Sequence, residues 1–208
     1  DRAGVRDGQG VGVLARNGRA FIISALAAVG CGAVVMPIYF QLKPAELAEI
    51  LARSPFTAIL DDGTCPRPTD GSRQMLELLD GTRLHFSRLN GNAPVPFVPW
   101  IAGAAFARFT SGTTGAAKGV VLTHDGLLER IHAANAGLEL DCEDRVLWIL
   151  PMAYHFFVSI VLYLEVGAAI VVCPDHLAGS VLDWAERHEA TFLYAAPMHV
   201  RLLAGDVS

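Results

Sequence analysis

Residues 109–119 read F-T-S-G-T-T-G-A-A-K-G, and they carry most of the chemistry legible in this 208-residue chain. Glycine has no Cβ, so Gly112, Gly115 and Gly119 let the backbone come close to a ligand. Successive N–H groups in such a loop form a concavity that attracts anions. Thr110, Ser111, Thr113 and Thr114 add hydroxyl donors, and Lys118 adds a compact positive charge. That donor set suits a polyphosphate. A Walker A loop is excluded, because its G-x-x-x-x-G-K-[ST] must open a helix. Here Lys118 is followed by G-V-V-L-T, which reads as a strand over 119–123. The run A-A-F-A-R-F reads as a second strand, over 104–109, entering the loop. Phe109 stands where a G-x-S-x-G nucleophile elbow would need glycine, so a hydrolase built on Ser111 is the weakest reading.

The elements that must position this loop alternate along the chain. Extended patterns fall at 11–15, 33–37, 56–60, 83–86, 104–109, 119–123, 145–149, 168–172 and 191–194. Helical patterns fall at 19–29, 44–53, 73–79, 124–137, 156–164, 181–188 and 197–203, with Pro44 in the first turn of its helix. Strands interleaved with helices imply an α/β fold, with mostly parallel sheets flanked by helices. The segment 90–99, N-G-N-A-P-V-P-F-V-P, reads as a proline-rich connector between a first half, 1–89, and a second half, 100–208.

Composition narrows the function classes. With 52% hydrophobic residues the chain can bury a sizeable core. A net charge of −5 with no basic run argues against nucleic-acid binding. Cys31, Cys65, Cys142 and Cys173 show neither paired nor zinc-ligand spacing, so no metal site is expected of them. They read as buried, reduced thiols of a cytoplasmic protein. The uncharged run over 20–40 is long enough to cross a bilayer. Gly30, Gly32 and Pro37 interrupt it, and a buried helix followed by a buried strand accounts for it without a membrane.

Residues 109–119 resemble the phosphate-binding signature of the adenylate-forming superfamily, [FY]-T-S-G-T-T-G-x-P-K-G. That superfamily includes acyl-CoA synthetases, firefly luciferase and nonribosomal-peptide adenylation domains. Ala117 replaces the proline, which frees φ but removes no phosphate-contacting group. Residues 30–51, G-C-G-A-V-V-M-P-I-Y-F-Q-L-K-P-A-E-L-A-E-I-L, are similar to the superfamily's G-A-V-x-V-P-L-N-P-x-x-P-x-E-L-x-x-I-L. Residues 150–164, L-P-M-A-Y-H-F-F-V-S-I-V-L-Y-L, resemble the next motif, where a proline and an aromatic or histidine line the acyl pocket. Residues 191–203, T-F-L-Y-A-A-P-M-H-V-R-L-L, are similar to its strand–proline–helix motif. The order is that of the superfamily and spans essentially the whole chain. The resemblance implies part of the large N-terminal adenylation domain. A Y-G-x-T-E motif, a ribose-binding aspartate, a hinge and a C-terminal lid domain with its catalytic lysine are expected beyond Ser208. The 208-residue piece alone is therefore expected to be inactive.

The resemblance also implies a chemistry. Enzymes of this kind, AMP-forming acid–thiol ligases, activate a carboxylic acid with ATP and Mg2+ as an acyl-adenylate. The acyl group then passes to coenzyme A or to the phosphopantetheine of an acyl carrier protein. Carried over by position, Thr110, Ser111, Gly112, Thr113, Thr114, Gly115 and Lys118 would hold the ATP phosphates. Lys118 and His155 would act in catalysis, and Tyr154, His155 and Phe156 would line the acyl pocket. His155 lies four residues after Pro151, where many relatives have three, which leaves Tyr154 as the alternative at that position. The remaining histidines, His85, His124, His132, His176, His188 and His199, read as surface or structural. Amino-acid-activating relatives place an aspartate near this motif, whereas 154–159 reads Y-H-F-F-V-S. An unpaired buried ammonium is costly, so a fatty or aryl acid is favoured. No membrane span is expected, and a homodimer is. The alternatives are an amino-acid-activating domain and a non-catalytic nucleotide-binding module of the same fold.

Overall fold

Runs of β-branched and small residues near the amino terminus become the middle of a sheet. Strands β1 (Gly10–Leu14) and β2 (Val34–Ile38) are buried at every position, as strands covered on both faces are. The computed structural model describes residues 4–54, 56–65, 73–89, 101–110 and 118–205. The chain forms two compact units, Asp1–Leu127 and Leu128–Ser208.

In the first unit, helix α1 (Arg19–Gly30) carries the chain from β1 to β2, which pair in parallel from Gly10↔Val34 to Leu14↔Ile38. The helix stops at a glycine, as expected, but the capping residue is Gly32. Its N–H donates to the Val29 carbonyl and the Ala33 N–H donates to the Ala28 carbonyl, with Gly32 at φ +74°. That pair of bonds is the Schellman closure, and it requires the left-handed conformation glycine adopts most easily. Helix α2 (Pro44–Arg53) has Pro44 at its start, and the Glu46 carboxylate accepts the Lys43 N–H at 2.8 Å. Its Leu47 joins Leu14, Met36, Ile38, Phe56 and Ile59 in one core cluster. The uncharged run over 20–40 is thus a helix and a strand. Among the described residues no helix is long and apolar enough to cross a membrane.

Strand β3 (Ala58–Asp61) pairs in parallel with β1. Beyond it the reading of 73–79 as a helix is corrected. Those residues form β4 (Arg73–Glu77), which pairs antiparallel with β5 (Arg83–Arg88), itself antiparallel to β3. A helix this short is marginal by itself, and the hairpin offers backbone pairing in its place. The Leu78 N–H donates to the Thr82 carbonyl and the Gly81 N–H to the Leu78 carbonyl, with Gly81 at φ +79°. This is the three-residue hairpin turn that an Asp80-Gly81 pair favours. Arg73 Nη2 also lies 2.7 Å from the buried Asp61 carboxylate, tying the start of β4 to the end of β3.

The other edge holds β6 (Ala104–Thr110) and β7 (Lys118–Thr123), an antiparallel hairpin whose first strand pairs in parallel with β2. The sheet order is β4-β5-β3-β1-β2-β6-β7, parallel through its middle and antiparallel at both edges. The connector expected at 90–99 lies outside the described residues. Helix α3 (His124–Leu138) follows directly and spans Leu127 and Leu128, where the two units meet in sequence.

The second unit has a smaller sheet, β10-β8-β9, all parallel, formed by β8 (Arg145–Trp148), β9 (Ala169–Val172) and β10 (Phe192–Tyr194). Its crossovers are α4 (Met152–His155), a π turn (Phe156–Ile160) and α5 (Val161–Glu165) after β8, then α6 (Ala178–Arg187) after β9. Helix α7 (Pro197–Gly205) follows β10.

Gly32 offers a direct check on the β1–α1–β2 crossover. A Cβ at that position would collide with the Asp7 carboxylate and lie 3.3 Å from the Asp7 Cα. The left-handed conformation costs a non-glycine residue about 1–2 kcal/mol. Gly32→Ala should therefore lower the urea midpoint by at least that equivalent with an unchanged m-value; an unchanged midpoint contradicts the assignment.

Candidate functional site

The phosphate-type loop springs from a hydrogen-bonded hairpin. Strands β6 and β7 pair down to Thr110↔Lys118, which stand opposite each other at the mouth of the loop. Both flanking segments are strands, as the sequence implies. Ser111, Gly112, Thr113, Thr114 and Gly115 lie outside the described residues. The hairpin places Thr110 and Lys118 at the edge of the sheet from which the parallel strand β6 emerges, where open α/β sheets present their ligand-binding crevices.

In the second unit the geometry gathers around His155. Strands β8 and β10 run in parallel register with Tyr194↔Trp148 as their final pair. Register neighbours on adjacent strands point to the same face. The indole and phenol rings accordingly lie side by side, 5.9 Å between centroids and 13° between planes. The His155 ring stands across both, 5.9 Å and 69° from Trp148, 5.6 Å and 74° from Tyr194. Edge-to-face pairs of this kind contribute about 0.5–1.5 kcal/mol each beyond area burial. Trp148 is fully buried and also meets Tyr163 edge-on at 6.1 Å.

The backbone explains why His155 reaches this pair. Pro151 precedes α4, and the chain breaks from helical geometry at His155, which has φ −123° and ψ −5°. The π turn follows, and the Val161 N–H donates to the Phe156 carbonyl, five residues back. A π turn takes in one residue more than an α-turn. Tyr154 is 47% exposed, His155 is half-buried, and Phe156 is buried.

Burial pushes the Tyr163 phenol up to about 12, against a smaller opposing effect of a hydrogen bond with Ser159. Tyr163 is thus a protonated structural group at neutral pH. At the far ends of the same strands, Thr191 Oγ1 donates to the Asp144 carboxylate at 2.6 Å, and the Arg145 N–H donates to Thr191 Oγ1 at 3.0 Å. These bonds hold β8 and β10 in the register that sets Trp148 beside Tyr194. Neither Trp148 nor Tyr194 stands out in the sequence as a site residue. The one signal for them is that two expected strands each close near an aromatic residue.

A mostly parallel α/β sheet with an edge hairpin leading into this loop is the arrangement that the resemblance to the adenylate-forming superfamily implies. The chain belongs to the AMP-binding enzyme family, whose model matches residues 1–207. It is 30% identical over 208 residues to 4-chlorobenzoate–CoA ligase from Pseudomonas sp. (strain CBS-3), covering 94% of this chain and 39% of that enzyme. It is 30% identical over 217 residues to 4-coumarate–CoA ligase 1 from Oryza sativa subsp. japonica, covering 93% of this chain and 38% of that enzyme. The chain thus spans about two-fifths of the length of these relatives. Its fold matches o-succinylbenzoate CoA synthetase from Bacillus subtilis, solved with an acyl-adenylate intermediate. The TM-score is 0.76 at 18% identity, over 99% of this chain and 54% of that one.

The strand-end clamp makes a pH prediction. The Asp144 carboxyl is held below its ordinary value of 3.8, by the Thr191 hydroxyl first and by the Asp141 N–H second. A lowered carboxyl contributes stability that is complete above about pH 4 and is lost as pH falls through the lowered value. Asp144→Asn should remove that contribution, so urea midpoints should fall less steeply below pH 4 than those of the native protein. Parallel acid limbs would contradict the clamp.

Proposed function

We propose that the protein carrying this chain activates a carboxylic acid with ATP and transfers it to a thiol. A carboxylate oxygen attacks the α-phosphorus of ATP, the bond to the β-phosphate oxygen breaks, and pyrophosphate leaves an acyl-adenylate. The thiolate of coenzyme A, or of a carrier phosphopantetheine, then attacks the acyl carbon and AMP departs. Little covalent help is needed; alignment and charge neutralisation dominate.

In this reading Thr110, Ser111, Gly112, Thr113, Thr114 and Gly115 hold the β- and γ-phosphates by hydroxyl and backbone N–H donors, and Lys118 supplies the point charge. Mg2+ accompanies the nucleotide and neutralises phosphate charge. Among the described residues no group of three or more His, Cys, Asp or Glu gathers to hold it. His155 orients the carboxylate by a hydrogen bond, and Tyr154 and Phe156 line the acyl pocket. The observation that best supports this reading is the loop of hydroxyls, glycines and lysine, rooted in the β6–β7 hairpin of a chain matched by the AMP-binding family along 1–207.

The acid is aryl or fatty. The names of the relatives, a 4-chlorobenzoate ligase and a 4-coumarate ligase, favour the aryl class. No acidic residue in 154–159 is present to pair with an α-ammonium. Cys65, Cys142 and Cys173 are reduced thiols, in keeping with a cytoplasmic protein, and only Cys173 of these three is buried, where all were expected to be. A homodimer belongs to the same reading and is checked by sedimentation.

The test is ATP–pyrophosphate exchange by the intact protein with a panel of aryl, fatty and α-amino acids. Each charge-assisted phosphate contact is worth about 1.5–3 kcal/mol. Lys118→Ala should thus slow exchange by roughly 10- to 100-fold, and Gly112→Ala should weaken it as well. Undiminished exchange in Lys118→Ala would overturn the role of the loop.

A further inference from the structure

We infer that Trp148 and Tyr194 are positioning residues for the His155 ring, a role that rests on the reading of His155 as the group facing the carboxylate. Three observations converge on it. The first is register: Trp148 and Tyr194 are the last pair of two parallel strands, so hydrogen bonding along the sheet fixes their rings side by side. The second is the triangle of rings, with centroids 5.9, 5.9 and 5.6 Å apart and His155 standing at 69° and 74° to its two neighbours. A swing of the imidazole away from either ring forfeits an edge-to-face contact. The third is the backbone break at His155, followed by the π turn, at the residue whose ring meets both members of the pair.

The two rings differ in how they are held. Trp148 is fully buried, and its Nε1 has no acceptor among the described residues, so packing alone fixes it. Tyr194 is 38% exposed and comes from a different strand. It can therefore be altered with less damage to the core. Nothing in the ring geometry uses the Tyr194 hydroxyl, so a phenyl ring should serve as well.

A double-mutant cycle in the intact protein separates positioning from core filling. Tyr194→Leu should lower kcat for pyrophosphate exchange by about 10- to 100-fold, the scale of a misplacement near 1 Å, with KM for ATP unchanged. Tyr194→Phe should stay within about twofold of the native rate, and Tyr194→Leu should add nothing in a His155→Ala background. The His155 ring-proton resonances should move in Tyr194→Leu and hold in Tyr194→Phe. Equal losses from Tyr194→Leu in both backgrounds, or a Phe variant as slow as the Leu variant, would overturn the inference. If His155→Ala leaves exchange intact, the proposed role of His155 fails. The ring resonances then decide the positioning alone: a shift on Tyr194→Leu supports it, and unmoved resonances overturn it.

Discussion

Parallel strands in hydrogen-bond register end together, and that constraint places the candidate site residues at one edge of each sheet. In the first unit, β6 runs parallel to β2 and delivers Thr110 to the start of the loop, and the antiparallel return through β7 sets Lys118 opposite it. In the second, β8 and β10 end together at Trp148 and Tyr194. Neither arrangement needs a strained backbone at the strand itself. In the second unit the irregular geometry lies just past the strand end, where the helix is broken at His155 and followed by a π turn.

The elements that carry these strand ends were legible because their apolar content and punctuation agree. The run over 20–40 resolves into α1 and β2 because Gly30 ends the helix and Gly32 caps it, with Pro37 inside β2, and α2 begins at Pro44. Residues 73–79 misled because Gln74, Met75, Leu76 and Glu77 are good helix formers. Their fate was decided by partners outside the segment itself, the β5 strand that follows and Asp61 before it. The hairpin signal that outranked propensity was Asp80-Gly81.

The candidate site was legible to different depths. The phosphate-type loop is contiguous, so its donors can be counted along one segment. The surroundings of His155 are not contiguous. Trp148 and Tyr194 are separated by the whole β8-to-β10 crossover, and only strand register reveals them as neighbours. The four-residue spacing from Pro151 to His155 looked like a departure from the adenylate-forming pattern. Past His155 the helix breaks, and a π turn follows over Phe156–Ile160.

Acid activation at the α-phosphorus leaves a trace that other routes do not. When the intact protein turns over ATP and coenzyme A with a carboxylic acid labelled with 18O in both carboxyl oxygens, one label should appear in AMP, because the attacking oxygen departs with the nucleotide. Label found instead in inorganic phosphate, or retained wholly in the acid and its thioester, would contradict adenylation as the chemistry of this protein.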